Sequence, residues 1–223
     1  MLIRCIDCHA CFKYDDTSVV VRKMVGLVTG WLILVIFDAV LQPVLMYGLG
    51  ACPRIGYMAN FNASLLTGHW YEIERSFYVM ELISSCVSVD IEENNFKGQL
   101  DVYVKSRSRV SGIFSISEGT ASPTKKDPSI FLYKIISKLP RVINRYLPGA
   151  GYYQVVNTDY NHYTILYSCS NFHLFHTDLV WIWARNKEID AELRAKIYQI
   201  LSRNHIDPER LTLPKNKNCT NDY

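Results

Sequence analysis

Gly68-His69-Trp70-Tyr71-Glu72-Ile73-Glu74 is the stretch on which the reading of this sequence turns. It opens a segment, His69 to Val79, dense in Trp, Tyr, Ile and Phe, residues that suit a half-buried pleated surface. A Gly-x-Trp alone is a weak sign, and it gains weight from the strand pattern downstream. Cys86 to Ile91 alternates through Val87, Val89 and Ile91, and Leu100 to Val104 alternates through Leu100, Val102 and Val104. Val110 to Ile116, Ile130 to Ile136, Gly151 to Val156, Tyr163 to Cys169 and Leu179 to Ala184 are further short runs. Turn signals fall between them at Asn94-Asn95, Lys97-Gly98, Pro123, Asp127-Pro128, Pro148-Gly149 and Asp159-Tyr160-Asn161. About eight strands at short, regular spacing predict an all-β antiparallel sandwich or barrel. From Asp190 the period changes: Leu193, Ile197, Ile200 and Leu201 recur at helical spacing, with Asp190 as N-cap, Glu192 in the first turn and Pro208 beyond. One amphipathic helix after eight strands has to bury its stripe against the outside of the sheet.

Two more stretches join the first: Thr158-Asp159-Tyr160-Asn161-His162-Tyr163, and Trp181-Ile182-Trp183-Ala184-Arg185-Asn186 just before the helix. In this order, on a strand-rich chain, the three resemble the lipocalin family. Within it the similarity runs to the apolipoprotein D, Lazarillo and bilin-binding group. Cys52-Pro53 looks like that group's opening, and Tyr167-Ser168-Cys169 and Phe175-His176-Thr177-Asp178-Leu179-Val180-Trp181 match its middle and late strands. The similarity spans roughly Ala51 to Asn218.

The resemblance implies an eight-stranded antiparallel up-and-down β-barrel, a calyx with one C-terminal α-helix packed outside, holding one small hydrophobic molecule. It implies no cofactor. Trp70 then covers one end of the barrel and Arg185 lies across its face as a cation–π pair, with Gly68, Thr158, Asp159 and Tyr163 belonging to the same closure. Strand periodicity turns Trp183 and Trp181 to the same face as Arg185, into the barrel. Trp181 matches a pocket-lining Trp of the group and is the first candidate ligand contact. Val102, Val104, Phe131, Tyr153 and Tyr167 follow from strand alternation, where a slip of one residue would turn any of them outward. The group's ligands include fatty acids such as arachidonate, steroids, retinoids and bilins. Long-chain fatty acid or a similar lipid is expected first, bilin or retinoid second. Val104 stands where some relatives carry a polar group that orients ligand, which argues against steroid-like selectivity.

Composition agrees with a globular domain: 49% of residues are hydrophobic and 20% charged. The formal net charge is +3, and residues 1–51 contribute none of it, with four Lys/Arg against four Asp/Glu. So small an excess argues against a nucleic-acid binder. Val25 to Phe37 is a run of 13 residues with only Thr29 polar, preceded by Arg22-Lys23 and succeeded at a distance by Gly48, Gly50 and Ala51. That pattern predicts a secretory signal peptide. The expected division is therefore an N-terminal extension plus signal peptide over residues 1–51, with the apolar segment at 25–50, and a lipocalin domain over 52–223. The alternative is an uncleaved anchor at 25–50, carrying a membrane-anchored or extracellular interaction protein.

Behind an export signal, Cys52, Cys86, Cys169 and Cys219 predict two disulfides, and spacing alone leaves three connectivities. Family position selects Cys52–Cys169 and Cys86–Cys219. Asn62 and Asn218 head glycosylation triplets. The isomerase chemistry of some lipocalins needs an unpaired thiolate inside the barrel, and pairing all four cysteines leaves none, so no enzyme and no catalytic residue is expected. His173 and His176 lack further ligands, so no metal site is expected there. Cys5, Cys8 and Cys11 beside His9 have the look of zinc or palmitoylation chemistry, in a region that a start at Met24 would remove. Residues 137–150 form a longer connection than the family's, carrying Leu139, Val142, Ile143, Tyr146 and Leu147 beside Lys138, Arg141 and Arg145. It reads as a loop over the open mouth, or as a flap that docks on a membrane or lipoprotein surface.

Overall fold

The computed structural model describes residues 48–77, 84–96, 98–140, 147, 149–214 and 219. The apolar segment up to residue 47, Cys5, Cys8, Cys11, most of the basic flap and Asn218 lie outside the described residues. Gly48–Tyr223 is one compact unit.

Among the described residues ten strands occur in chain order: β1 (Gly48–Leu49), β2 (Gly68–Ser76), β3 (Ser84–Glu93), β4 (Leu100–Ser108), β5 (Phe114–Pro123), β6 (Ile130–Ile135), β7 (Gly151–Thr158), β8 (Tyr163–Phe172), β9 (Phe175–Ala184) and β10 (Leu211–Thr212). Each strand from β2 to β9 pairs antiparallel with the next, and β9 returns to pair with β2, so eight strands close on themselves. Closure removes the sheet edges that would otherwise offer unpaired backbone groups. The short β1 adds to β9 at Phe175–His176, and β10 adds to β2 at Arg75–Ser76, beyond the β2–β3 pairing.

Alternation along the strands sends side chains to two separate cores. Trp70, Val89, Ile91, Leu100, Val102, Phe131, Val155 and Leu166 cluster inside the barrel. Ile73, Val156, Tyr163, Ile165, Tyr167, Val180 and Ile182 form an outer cluster with Ile197 and Leu201 of the helix α1 (Ala191–Arg203). Asp190 caps α1 by accepting a hydrogen bond from the Leu193 backbone N–H at 2.7 Å, and Glu192 lies in the first turn, where the helix dipole favours a negative charge. Ile197 and Leu201 are fully buried, each worth roughly 1.5–3 kcal/mol by area removed from water.

Two departures from strict alternation matter for the interior. In β2 the pairing register with β9 shifts between Glu72 and Glu74, a β-bulge. Glu72 and Arg75 face the inside, while Glu74 faces α1 and meets Arg194 at 2.9 Å and the Tyr198 hydroxyl at 2.7 Å. Burial, reinforced by the Glu74 carboxylate, pushes the Tyr198 phenol up to about 12. The second departure is β5. The apolar run Val110 to Ile116 predicts a strand there, but Val110 sits in the turn after β4 and the strand starts at Phe114. Gly112, with φ +69°, makes that turn, and Val110 and Ile113 are left exposed. Apart from the outward Ile116, the strand from Ser115 to Ala121 is instead made of small and polar residues, held by its pairing with β4.

Candidate ligand cavity

One end of the barrel is sealed. Trp70 is fully buried and donates its indole N–H to the Leu66 carbonyl at 2.7 Å, from a 3-10 turn (Ala63–Leu66) that precedes β2. The Arg185 guanidinium carbon lies 3.6 Å from the centre of the Trp70 ring system, a cation–π contact with the charge over the negative face. Arg185 also donates to the carbonyls of His69 at 3.0 Å, Thr67 at 2.9 Å and Tyr160 at 3.0 Å, so one side chain ties three backbone acceptors together. Gly68 holds φ +99°, and a Cβ there would stand 3.1 Å from Arg185 Nη1, so conformation and space both select glycine.

Thr158 and Asp159 shape the neighbouring β7–β8 turn. The Thr158 hydroxyl donates to the Tyr163 carbonyl at 2.7 Å, and Asp159 Oδ1 accepts backbone N–H bonds from His162 and Tyr163. Burial alone would raise the Asp159 pKa; those bonds, with the His162 ring beside it, hold it below the usual carboxylate value. Tyr163 itself turns outward: its ring lies in the outer core, and burial pushes its phenol up to about 12.

Above this floor is a cavity of about 420 Å³, within the range of small-molecule sites. Val102, Val104, Phe131, Tyr153, Trp181 and Trp183 line it. Tyr153 and Trp181 are in contact, ring centres 5.3 Å apart, and Tyr133 stands edge-on to Tyr153 at 6.0 Å. Tyr167 does not line it. That expectation is corrected: Tyr167 faces outward, its hydroxyl donating to Asp178 Oδ2 at 3.0 Å, while its neighbour Leu166 faces in. Both faces of β8 are buried, one by the cavity and one by α1, so its apolar residues carry no alternation that fixes direction.

Sequence reasoning missed several lining residues. Glu72 and Arg75 form an ion pair at 3.0 Å, each 4% exposed, facing the hollow. Alternation from Trp70 turns Glu72 and Glu74 inward; Glu72 does face the hollow, but the bulge after it turns Glu74 out to α1 and brings Arg75 in, and no periodicity rule reveals a bulge. Ser106, Ser115, Ser117 and Ala121 also line the cavity, on or beside a strand whose small residues give no strand signal. Gly119 belongs to the same strand, and a Cβ there would collide with the Tyr133 ring.

The other end is open and apolar at its rim. Phe77 after β2, Val110 and Ile113 after β4, Ile136 and Leu139 after β6, and Leu174 after β8 are all exposed, Val110 to 85% and Leu174 to 81%. Disulfides join Cys52 to Cys169 on β8 and Cys86 on β3 to Cys219, tying the segments before and after the barrel to its wall. Asn62 is exposed near the sealed end, where its side chain accepts from the Ser64 backbone N–H. Among the described residues no group of three or more metal-ligating side chains is present, and no helix is long and apolar enough to cross a membrane.

Comparison with known proteins gives the same architecture. The family model described as "Lipocalin / cytosolic fatty-acid binding protein family" matches residues 137–218. Apolipoprotein D of Bos taurus is 32% identical over 177 residues, covering 78% of this chain and 86% of that protein. The bilin-binding protein of Pieris brassicae is 25% identical over 162 residues, covering 70% of this chain and 78% of that protein. The solved structure of insecticyanin from the tobacco hornworm Manduca sexta superposes with a TM-score of 0.64 at 19% identity, covering 77% of this chain and 89% of that one. Apocrustacyanin C1 does so with a TM-score of 0.62 at 17% identity, covering 77% and 91%. A closed eight-stranded barrel with one outer helix, a Trp–Arg seal and two tethering disulfides, together with about one-third identity to apolipoprotein D over most of both chains, means that the chain belongs to the lipocalin family.

Proposed function

We propose that this protein is a secreted carrier that takes one small hydrophobic molecule into its barrel and catalyses no reaction. The observation that carries the reading is the cavity itself: about 420 Å³, sealed at one end, open at the other and lined largely by aliphatic and aromatic side chains. Binding there needs little chemistry, only removal of apolar area from water at about 25 cal/mol per Å² and a few polar groups for orientation. A relative that bears the name bilin-binding protein supports cargo of this kind.

Absence of catalysis is supported by the cysteines: Cys52, Cys86, Cys169 and Cys219 are all in disulfides, so no barrel thiol is left to act as a nucleophile. Secretion is supported by the basic flank, apolar run and small residues before Cys52, and by two disulfides, which persist in oxidising compartments. The exposed side chains at the mouth support exchange of cargo at a membrane or lipoprotein surface, since four loops present apolar groups around the entrance. Asn62, exposed and far from the mouth, can carry a glycan without obstructing entry.

The test is mass spectrometry of material extracted from the protein purified from its native source, paired with titration of a fluorescent apolar probe. A lipophile recovered near one per chain, displaced by the probe, is the expected result. No recovered lipophile and no saturable probe binding would overturn the carrier. N-terminal sequencing of the mature chain checks secretion, with a start near Ala51 expected and an intact 25–50 segment counting against it.

A further inference from the structure

The polar groups of the cavity form a belt. Register pairs Trp70 with Val89, Val89 with Val104 and Val104 with Ser117, so these four lie in one row across β2 to β5. Two residues further toward the mouth come Glu72 on β2, the apolar Val87 on β3, and the pair Ser106–Ser115 on β4 and β5, whose hydroxyls stand 3.2 Å apart. Arg75 joins Glu72 from one step higher on β2. Across the hollow the wall is aromatic, with Tyr133, Tyr153 and Trp181. Below the belt it is apolar, Ser117 apart, down to Leu66 and Leu100.

An ion pair in such a place contributes little to folding, because desolvation offsets the attraction. Facing the cavity, it can select cargo. The geometry points to a neutral amphiphile as the ligand: a molecule with an apolar body lying below the belt and a hydroxyl or carbonyl group held at Glu72, Arg75, Ser106 and Ser115. This inference rests on the carrier reading and narrows its ligand class. The Glu72–Arg75 pair already cancels its own charge. A carboxylate arriving at the belt would be drawn by Arg75 and repelled by Glu72 alike, so the neutral pair leaves it an uncompensated negative charge in a medium of low dielectric. A hydroxyl brings no such charge, and it accepts from Arg75 or a serine and donates to Glu72 or a serine. The order read from the sequence, fatty acid before retinoid, is thereby reversed in favour of an uncharged head.

The experiment compares all-trans-retinol with retinoate, which differ only at the polar end, by tryptophan quenching of the delipidated full chain at pH 8. Retinol is expected to bind at least about tenfold tighter, the size of one uncompensated charge partly relieved by solvent and motion. Glu72→Gln removes the repelling charge and leaves the Arg75 cation, so retinoate should overtake retinol. Arg75→Met keeps Glu72 and should widen the gap in retinol's favour. Retinoate binding as tightly as retinol to the unaltered protein would overturn the inference while leaving the carrier intact, as would variants that move the ratio in the same direction. Failure of both retinoids and of an uncharged hydrocarbon probe would overturn the carrier reading as well. Should either variant fail to fold, the ratio measured on the unaltered protein decides alone.

Discussion

The two ends of the barrel are built on opposite plans. At the sealed end a fully buried indole, a guanidinium and the surrounding backbone carbonyls bond one another, with Leu65, in the turn before Trp70, half exposed. At the open end Val110, Ile113, Ile136 and Leu174 stand in solvent on loops that pack against little. Surface apolar groups scattered singly need no explanation, but a ring of them around an entrance does. The contrast is one of closely bonded, buried groups at the floor and uncovered apolar groups at the rim, with the cavity between them; under the proposed function the first serves stability and the second interaction.

That division can be broken by mutation, starting with the largest effect. Trp70→Ala should cost about 3–5 kcal/mol, since it empties a filled site and strands the Arg185 charge. In a chain of this size that lowers the melting temperature by roughly 10 °C. An unaltered melting curve would count against the floor as the seat of stability. Trp181→Ala should weaken binding of a fluorescent lipid probe about tenfold, about 1.4 kcal/mol, while lowering the melting temperature much less than Trp70→Ala. Unchanged affinity would remove Trp181 from the binding surface.

The outer seam gives a smaller effect, read by pH. In the unfolded chain tyrosines ionise near pH ~10. In the folded chain burial pushes Tyr163 and Tyr198 up to about 12. Below that unfolded value both states keep these protons and the stability is complete. Between about pH 10 and 12 the unfolded state alone releases them, so stability falls as pH rises. Tyr198→Phe should make that fall shallower in urea titrations across this window, and an unchanged slope would show that Tyr198 is not the group being read. Least visible in stability is the rim. Val110→Ser with Leu174→Ser should change folding by less than about 0.5 kcal/mol, as surface substitutions do. The same pair should weaken sedimentation with phosphatidylcholine vesicles; retention of full vesicle binding would strip the rim of its proposed part.

The sealed end is legible in the sequence because its parts cannot be exchanged. Gly68, Trp70, Thr158, Asp159 and Arg185 each answer a separate requirement of backbone, ring or charge, and such residues leave short fixed signatures. The helix is legible too, since Leu193, Ile197 and Leu201 keep one period from a capped start at Asp190. Legibility fails where the pattern depends on something outside the strand. Alternation turns Tyr167 the wrong way because β8 is covered on both sides. It does not reveal Glu72 and Arg75 as a facing pair because a bulge, invisible to periodicity, lies between them. The apolar run at Val110 displaces β5 toward the turn because the strand's own inner face, Ser115, Ser117, Gly119 and Ala121, has no bulky residue to announce it.

That modest strand has a consequence of its own. The hollow inside the barrel owes part of its room to what β5 withholds, the short side chains of Ser115, Ser117 and Ala121, while the Tyr133 ring fills the space beside Gly119. Capacity is therefore adjustable at a few positions while the seal, the tethers and the helix stay untouched. Ala121→Leu would trade room for firmness, giving a sturdier vessel that holds less.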